Sequence, residues 1–137
     1  MNTNMNKALT LMLALFTSLM VWSTFGAQAQ DAKKAVISIP VKEYDFGKIK
    51  ESEGKVSHVF EIKNTGNAPL VLTRVMSSCG CTVPSYDKEP IAPGKTSKIT
   101  VTYDPAGRVY PFVKTVSVYS NGKEGPEVIT IKGEVVK

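Results

Sequence analysis

Residues 56–63 read VSHVFEIK and residues 97–103 read SKITVTY. In both stretches apolar side chains alternate with polar ones. A period of two places alternate side chains on opposite faces of a strand, so one face is buried and the other is solvated. The two stretches therefore predict half-buried antiparallel strands. Together with the alternating stretch near residue 130, they predict a core that includes Phe60, Ile62, Ile99, Val101, Ile129 and Ile131.

Similar short runs fill the rest of residues 35–137, separated by turn residues such as Thr65-Gly66-Asn67 and Asn121-Gly122. Val, Ile and Thr account for 31 of the 108 residues from 30 to 137, a composition that favours pleated sheet over helix. About seven strands at regular spacing predict an all-β fold, a single immunoglobulin-like antiparallel β-sandwich. The further predicted strands are Ala35 to Val41, Glu43 to Ile49, Leu70 to Met76, a short piece around Val83, Phe112 to Tyr119 and Glu127 to Val135.

The first 29 residues have the order of a secretory signal peptide. A polar start containing Lys7 precedes an uncharged apolar stretch from Ala8 to Trp22, and Ala27-Gln28-Ala29 supplies the small residues of a cleavage site. We therefore expect a signal peptide at 1–29, a polar lead-in at 30–34 and the sandwich domain at 35–137. The mature protein would be exported, either periplasmic or secreted, with no membrane span after cleavage.

The net charge of the chain argues against a nucleic-acid partner. It is +5 at pH 7, and Lys7 contributes one of these charges, so residues 30–137 carry only +4. Lysines are scattered along the strands, and Arg74 and Arg108 are the only arginines. A nucleic-acid site requires clustered basic residues with aromatic neighbours.

Cys79-Gly80-Cys81 is the only chemically reactive segment. Two residues of a flat strand advance about 6.6–6.8 Å, which is the upper limit for the Cα atoms of a disulfide. A disulfide between Cys79 and Cys81 therefore requires a local bend, and Gly80 makes that bend easy. Closing so short a loop adds only about 1.6 kcal/mol in the loop-entropy relation. The pair is thus a disulfide candidate, and thiol–disulfide exchange is an alternative role for it.

A soft-metal site is the third interpretation of the same thiols. Cysteine thiolates bind copper(I) or zinc, and Met76 precedes the pair closely enough to be a candidate thioether ligand with Cys79 and Cys81. Structural zinc usually takes four protein ligands, which the chain does not offer nearby. The only histidine, His58, lies in the apolar register of its strand, and we expect it to be half-buried and hydrogen-bonded. No cofactor and no catalytic residue is predicted.

Several segments resemble one bacterial family in their order along the chain. They are Phe46-Gly47, Asn64-Thr65-Gly66, Pro69-Leu70, Ser78-Cys79-Gly80-Cys81-Thr82, Ile91-Ala92-Pro93-Gly94 and Tyr103-Asp104-Pro105. Together they resemble the domain-of-unknown-function family 1573, which is related to the Hydin, ASPM and major-sperm-protein class of immunoglobulin-like sandwiches. The resemblance covers roughly residues 35–135 and implies a fold and an exported location. It implies no reaction and no catalytic residues.

These observations favour an exported, non-enzymatic immunoglobulin-like module with a binding or structural role. We expect it to act through a sheet edge or its end loops on a protein partner. The alternatives are a thiol–disulfide redox protein and a soft-metal binder, both of which use Cys79-Gly80-Cys81.

Overall fold

The structure, a computed structural model, describes residues 33–122 and 124–137. The predicted signal peptide at 1–29 lies outside the described residues, as do residues 30–32 of the lead-in. The described part forms eight strands and one 3₁₀ turn at Glu51–Glu53. The strands are β1 (Ile37–Ser38), β2 (Glu43–Lys50), β3 (Val56–Asn64), β4 (Leu72–Ser77), β5 (Thr82–Tyr86), β6 (Thr96–Tyr103), β7 (Pro111–Ser120) and β8 (Glu127–Val136).

The strands form two four-stranded sheets that enclose one apolar core. Sheet A has the order β1-β3-β6-β5, and sheet B has the order β2-β8-β7-β4. All six predicted core residues are at most 1% exposed, and they come from β3 and β6 of sheet A and from β8 of sheet B. The all-β sandwich predicted from the alternation is therefore confirmed.

Three details of the predicted strands were wrong. The run from Ala35 to Val41 forms only the two-residue β1, because the chain bends at Pro40. It leaves sheet A there and joins sheet B as β2, which pairs with β8 in parallel rather than antiparallel. Leu70 lies outside β4 and makes a single bridge to Ile91.

Asn64 at the end of β3 fixes the place where β1 meets this strand. Its side chain is fully buried and donates hydrogen bonds to the carbonyls of Ala68 (2.7 Å) and Ile91 (2.9 Å). Its Oδ1 accepts a bond from the Gly66 backbone N–H at 3.0 Å, as expected for an asparagine that holds a turn. A Cβ at Gly66 would lie 2.3 Å from the Lys34 carbonyl oxygen, so glycine is required there for close approach of the β1 segment.

Tyr103 at the end of β6 links the two sheets. Its ring stacks on that of Phe112 from β7, with centroids 3.9 Å apart. The ring is fully buried, and its hydroxyl has no hydrogen-bond partner among the described residues. Burial raises the pKa of the Tyr103 phenol, and the charges of Tyr110 and Asp104 add to that rise.

Candidate functional site: the open edge of strand β3

Most of one edge of β3 has no neighbouring strand. On one side β3 pairs with β6 from Val56 to Lys63. On the other side it pairs with β1 only at Lys63 and Asn64. Within the described residues, the remainder of that side, residues 56–62, faces no other strand.

The hydrogen bonds at the strand ends show which backbone groups face this open side. The Asn64 N–H points toward β6, because it donates to the Lys95 carbonyl at 3.0 Å. The Thr65 N–H points the other way and donates to Val36 at 2.9 Å. Backbone groups alternate in direction along an antiparallel strand. The N–H and C=O groups of Ser57, Val59 and Glu61 therefore face the open side, and these three residues are called the β3 edge below.

An apolar groove of about 390 Å³ runs beside the β3 edge. The bend that takes the chain from β1 to β2 forms its other wall. Val41 is 62% exposed, Val59 48% and Tyr44 37%, so three large apolar side chains line a surface open to solvent. The full lining is Pro40, Val41, Tyr44, His58, Val59, Phe60 and Glu61.

Stacked rings support the groove from below. The His58 ring lies flat on Tyr44 with centroids 3.6 Å apart and an interplanar angle of 9°, and it meets Phe60 edge-on at 4.8 Å. His58 is half-buried as expected. Its ring makes no hydrogen bond to another residue in the described part of the chain, so the expected hydrogen bond stays a prediction. Contacts with aromatic rings hold it instead, and they join the β3 side of the groove to the β2 side.

The opposite edge of sheet A has a different character. The Asp104 N–H donates to the Cys81 carbonyl at 2.9 Å, so by alternation Val83 and Ser85 face β6. The outward-facing residues of β5 are then Thr82, Pro84 and Tyr86. The Thr82 N–H is already bonded to the Cys79 carbonyl at 3.1 Å, and proline has no N–H. Tyr86 alone can offer a donor to an incoming strand.

Both edges of sheet B are irregular. β2 has a register shift between Asp45 and Lys48, and β4 has one between Leu72 and Arg74. Such bulges interrupt the row of backbone donors and acceptors and discourage pairing with another chain. An ion pair between Glu43 of β2 and Lys132 of β8 spans the paired side of the same strand, and its hydrogen bond raises the pKa of Lys132. Among the described strands, β3 thus presents the most regular open edge.

The structure brings the two cysteines together as a disulfide. Their Cα atoms are 5.2 Å apart, and the pair lies in the turn where the chain crosses from sheet B to sheet A. Cys81 is buried at 4% exposure, and Cys79 packs half-buried against the core. The bend occurs without a left-handed backbone at Gly80, where a Cβ would have open space around it.

The remaining metal candidate, Met76, is 47% exposed on β4. The two sulfurs that would complete its site are bonded to each other, so neither is a thiolate in this state. In residues 33–122 and 124–137, no group of three or more His, Cys, Asp or Glu side chains is placed to hold a metal ion. These same residues also contain no helix long and apolar enough to cross a membrane.

The sequence predicted β3 but not its open edge. Alternation from Val56 to Lys63 shows which face is buried, but it contains nothing about the neighbour at either edge. One local signal for the opening existed, namely Pro40 inside the predicted run from Ala35 to Val41. Because proline cannot donate to a ladder, it marked the place where β1 stops covering β3.

Comparison with known proteins gives a family and a fold. The family model described as "Protein of unknown function (DUF1573)" matches residues 37–135. No curated protein matches the chain. A crystal structure of a protein of unknown function from Porphyromonas gingivalis has a TM-score of 0.67 and 22% identity, covering 81% of this chain. This chain spans about half of that one, with 51% covered.

More distant structures share the sandwich. The VesB protease of Vibrio cholerae has a TM-score of 0.56 and 17% identity over 76% of this chain and 32% of that chain. The YadV chaperone has a TM-score of 0.51 and 15% identity over 76% of this chain and 53% of that chain. At these identities the likeness shows a common fold and carries no activity across.

Proposed function

The chain belongs to the DUF1573 family of proteins of unknown function, and we propose that it is an exported, non-enzymatic binding module. It takes up an extended segment of a protein partner along the β3 edge. The N-terminal sequence supports export, since it has the order of a signal peptide. The binding role is supported by one observation, the row of unpaired backbone groups beside an apolar groove.

The physical means is strand addition. An extended segment lying against the β3 edge would receive main-chain hydrogen bonds from Ser57, Val59 and Glu61. Main-chain bonds supply affinity for any extended chain, and pockets for alternate side chains supply specificity. The groove beside Val41 and Tyr44 offers such a pocket, and its exposed apolar surface is what a partner with an apolar side chain would cover.

A substitution at Val59 tests this without disturbing the rest of the sheet. The Val59 N–H faces the open side, so Val59→Pro removes a donor from the β3 edge and none from the β3–β6 ladder. Val59→Thr is the matched control, because it keeps the N–H and a branched side chain. Both variants are produced through the export route and checked for folding by circular dichroism. Each is then used in a pull-down from the native cell envelope, and the bound protein is identified.

The expected result is that wild type and Val59→Thr retain the same identified partner and Val59→Pro loses it. In the retained complex, amide exchange at Ser57, Val59 and Glu61 slows. A folded Val59→Pro variant that binds the same partner as strongly as wild type would show that the β3 edge is not the binding surface.

Thiol–disulfide exchange at Cys79 and Cys81 is a second candidate, and partial exposure of Cys79 favours it. In that reaction a reduced dithiol would give two electrons and two protons to the Cys79–Cys81 bond, leaving two protein thiols and one oxidised dithiol. A Cys79→Ser, Cys81→Ser double variant separates the candidates. Partner binding that survives in the double variant assigns binding to the β3 edge, and binding that is lost while the variant stays folded assigns it to the thiols.

A further inference from the structure

We propose that the β3 edge pairs with the β3 edge of a second copy of this chain, which joins the two A sheets into one continuous sheet. This inference rests on the proposed function, because it names the occupant of the same edge. It is carried by the charges that flank the edge and by the direction of the backbone groups within it. When the same edge of two copies pairs around a two-fold axis, each residue must be compatible with the residue opposite it in the other copy. The backbone directions and charges of β3 can be checked for this compatibility.

Only some registers are compatible with the backbone. The groups facing the open side belong to Ser57, Val59 and Glu61, so each of them must lie opposite another residue of this set or its continuation. β1 already covers the edge at Lys63, which limits the pairing to residues before it. The available stretch is therefore about residues 55–61.

One register within this stretch sets opposite charges against each other. When Ser57 lies opposite Val59 of the second copy, Lys55 lies opposite Glu61 of the second copy. The two-fold axis repeats both pairs, which gives two hydrogen-bonded backbone pairs at the centre and one Lys–Glu pair at each end. All four residues are exposed; Ser57, Val59 and Glu61 lie on the outer face of β3, where directly opposed residues are neighbours, and Lys55 directly precedes the first residue of the strand.

The neighbouring registers lack this complementarity. Pairing Val59 with itself places Lys55 opposite Lys63, a like-charge pair at a position that β1 already occupies. A shift of two residues in the other direction sets Glu61 opposite Glu53, which lies in the 3₁₀ turn before β3 and so offers no strand partner. Like charges directly opposite each other destabilise a strand pair, so the charges select the Ser57–Val59 register.

The apolar surface beside the β3 edge is consistent with its being covered by a second copy of the chain. Val59 is 48% exposed at the centre of the pairing, and Tyr44 and Val41 stand beside it in the groove. A single strand pair buries little area compared with stable interfaces, so we expect a weak dimer in concentration-dependent equilibrium with the monomer.

Charge reversal tests both the dimer and its register. In the Lys55→Glu homodimer, each end of the paired strands sets two carboxylates opposite each other. In the Glu61→Lys homodimer, each end sets two ammonium groups opposite each other. Each variant alone is therefore expected to dimerise about tenfold more weakly than wild type. An equimolar mixture of the two variants restores two opposite-charge pairs and forms a heterodimer. The double variant Lys55→Glu, Glu61→Lys restores them within one chain. Sedimentation velocity and native mass spectrometry of the exported protein measure each state.

Lys88→Glu, at an exposed position between β5 and β6, is the control for net charge and leaves the dimer unchanged. Thermal unfolding of each variant separates weakened pairing from lost folding. Failure of the two single variants to form a heterodimer overturns the proposed register, and a monomeric wild type at its highest soluble concentration overturns the dimer. If wild type is monomeric but binds another protein, and Val59→Pro abolishes that binding, then this inference is overturned while the proposed function stands.

Discussion

The two edges of sheet A differ in how many backbone donors they leave free for another strand. At the β5 edge two of the three outward donors are missing, since Pro84 has no N–H and the Thr82 N–H is bonded to the Cys79 carbonyl; only Tyr86 keeps one. At the β3 edge three alternate residues, Ser57, Val59 and Glu61, keep their outward groups, and an apolar groove lies beside them. Exposed edges invite unwanted pairing, and proteins usually block them. An edge left open in a sheet whose other edge is blocked is therefore the place to look for function.

The largest effect is expected on the inner face of β3, where the fold itself depends on the strand. Phe60 is 1% exposed, and Phe60→Ala should lower the free energy of unfolding by about 3–5 kcal/mol through lost burial and a cavity. Val59→Thr, one residue away on the outer face, should change it by less than about 0.5 kcal/mol. Urea unfolding measures both. A loss below about 0.5 kcal/mol for Phe60→Ala would mean that the burial phase of β3 is wrong.

The next effect is expected where the β3 edge stops being open. Asn64→Ala removes the side-chain donor to the Ala68 carbonyl and one of the two donors to the Ile91 carbonyl, which keeps its bond from the Leu70 N–H, so the change should cost about 2 kcal/mol. Because Asn64 lies opposite Ile37, amide exchange in the β1 segment should accelerate more than in β6. The exposed neighbour Thr65 provides the control, and Thr65→Ala should be nearly neutral. Equal protection of β1 in the Asn64→Ala variant and in wild type would contradict this role.

A smaller effect of opposite sign is expected at Tyr103, which pairs with Val56 on one side and Thr82 on the other and so connects the two edges. Its buried hydroxyl lacks a partner in residues 33–122 and 124–137, so Tyr103→Phe should raise stability by about 1 kcal/mol.

The pH dependence of the same site has a definite sign. Burial raises the pKa of the Tyr103 phenol above its ordinary value of 10.0, so the unfolded chain releases the proton first as pH rises. The stability of wild type should therefore fall as pH rises from the ordinary phenol pKa toward the higher pKa of the folded state. Tyr103→Phe should show a shallower fall in urea unfolding across that alkaline range. Parallel pH profiles for the two proteins would contradict the assignment.

The smallest effect on stability, and a direct test of the comparison, is expected from Pro84→Thr. The change restores an outward N–H on β5 and should alter the free energy of unfolding by less than about 0.5 kcal/mol. With both edges of sheet A open, association should rise with concentration beyond that of wild type, as sedimentation velocity would show. Ser85→Thr is the control, since the Ser85 N–H faces β6. If Pro84→Thr sediments like wild type, the proline is not what blocks this edge.

Strand positions and the core followed from the sequence by itself. The alternation in 56–63 and 97–103 predicted which side chains are buried, because burial of one face of a sheet imposes a period of two on the residues. The signature segments also indicated the family, which the match over residues 37–135 confirms. For the cysteines, spacing alone left a disulfide, a redox pair and a metal site open.

The tertiary structure alone decided which strands are neighbours. It shortened β1 to two residues, sent β2 to sheet B in parallel with β8, and so left the β3 edge uncovered. It also brought the Cys79 and Cys81 Cα atoms to 5.2 Å by placing them in a turn between sheets. The physical reason is the same in each case. A local pattern records the environment of a side chain, whereas the partner at a strand edge depends on where distant parts of the chain return.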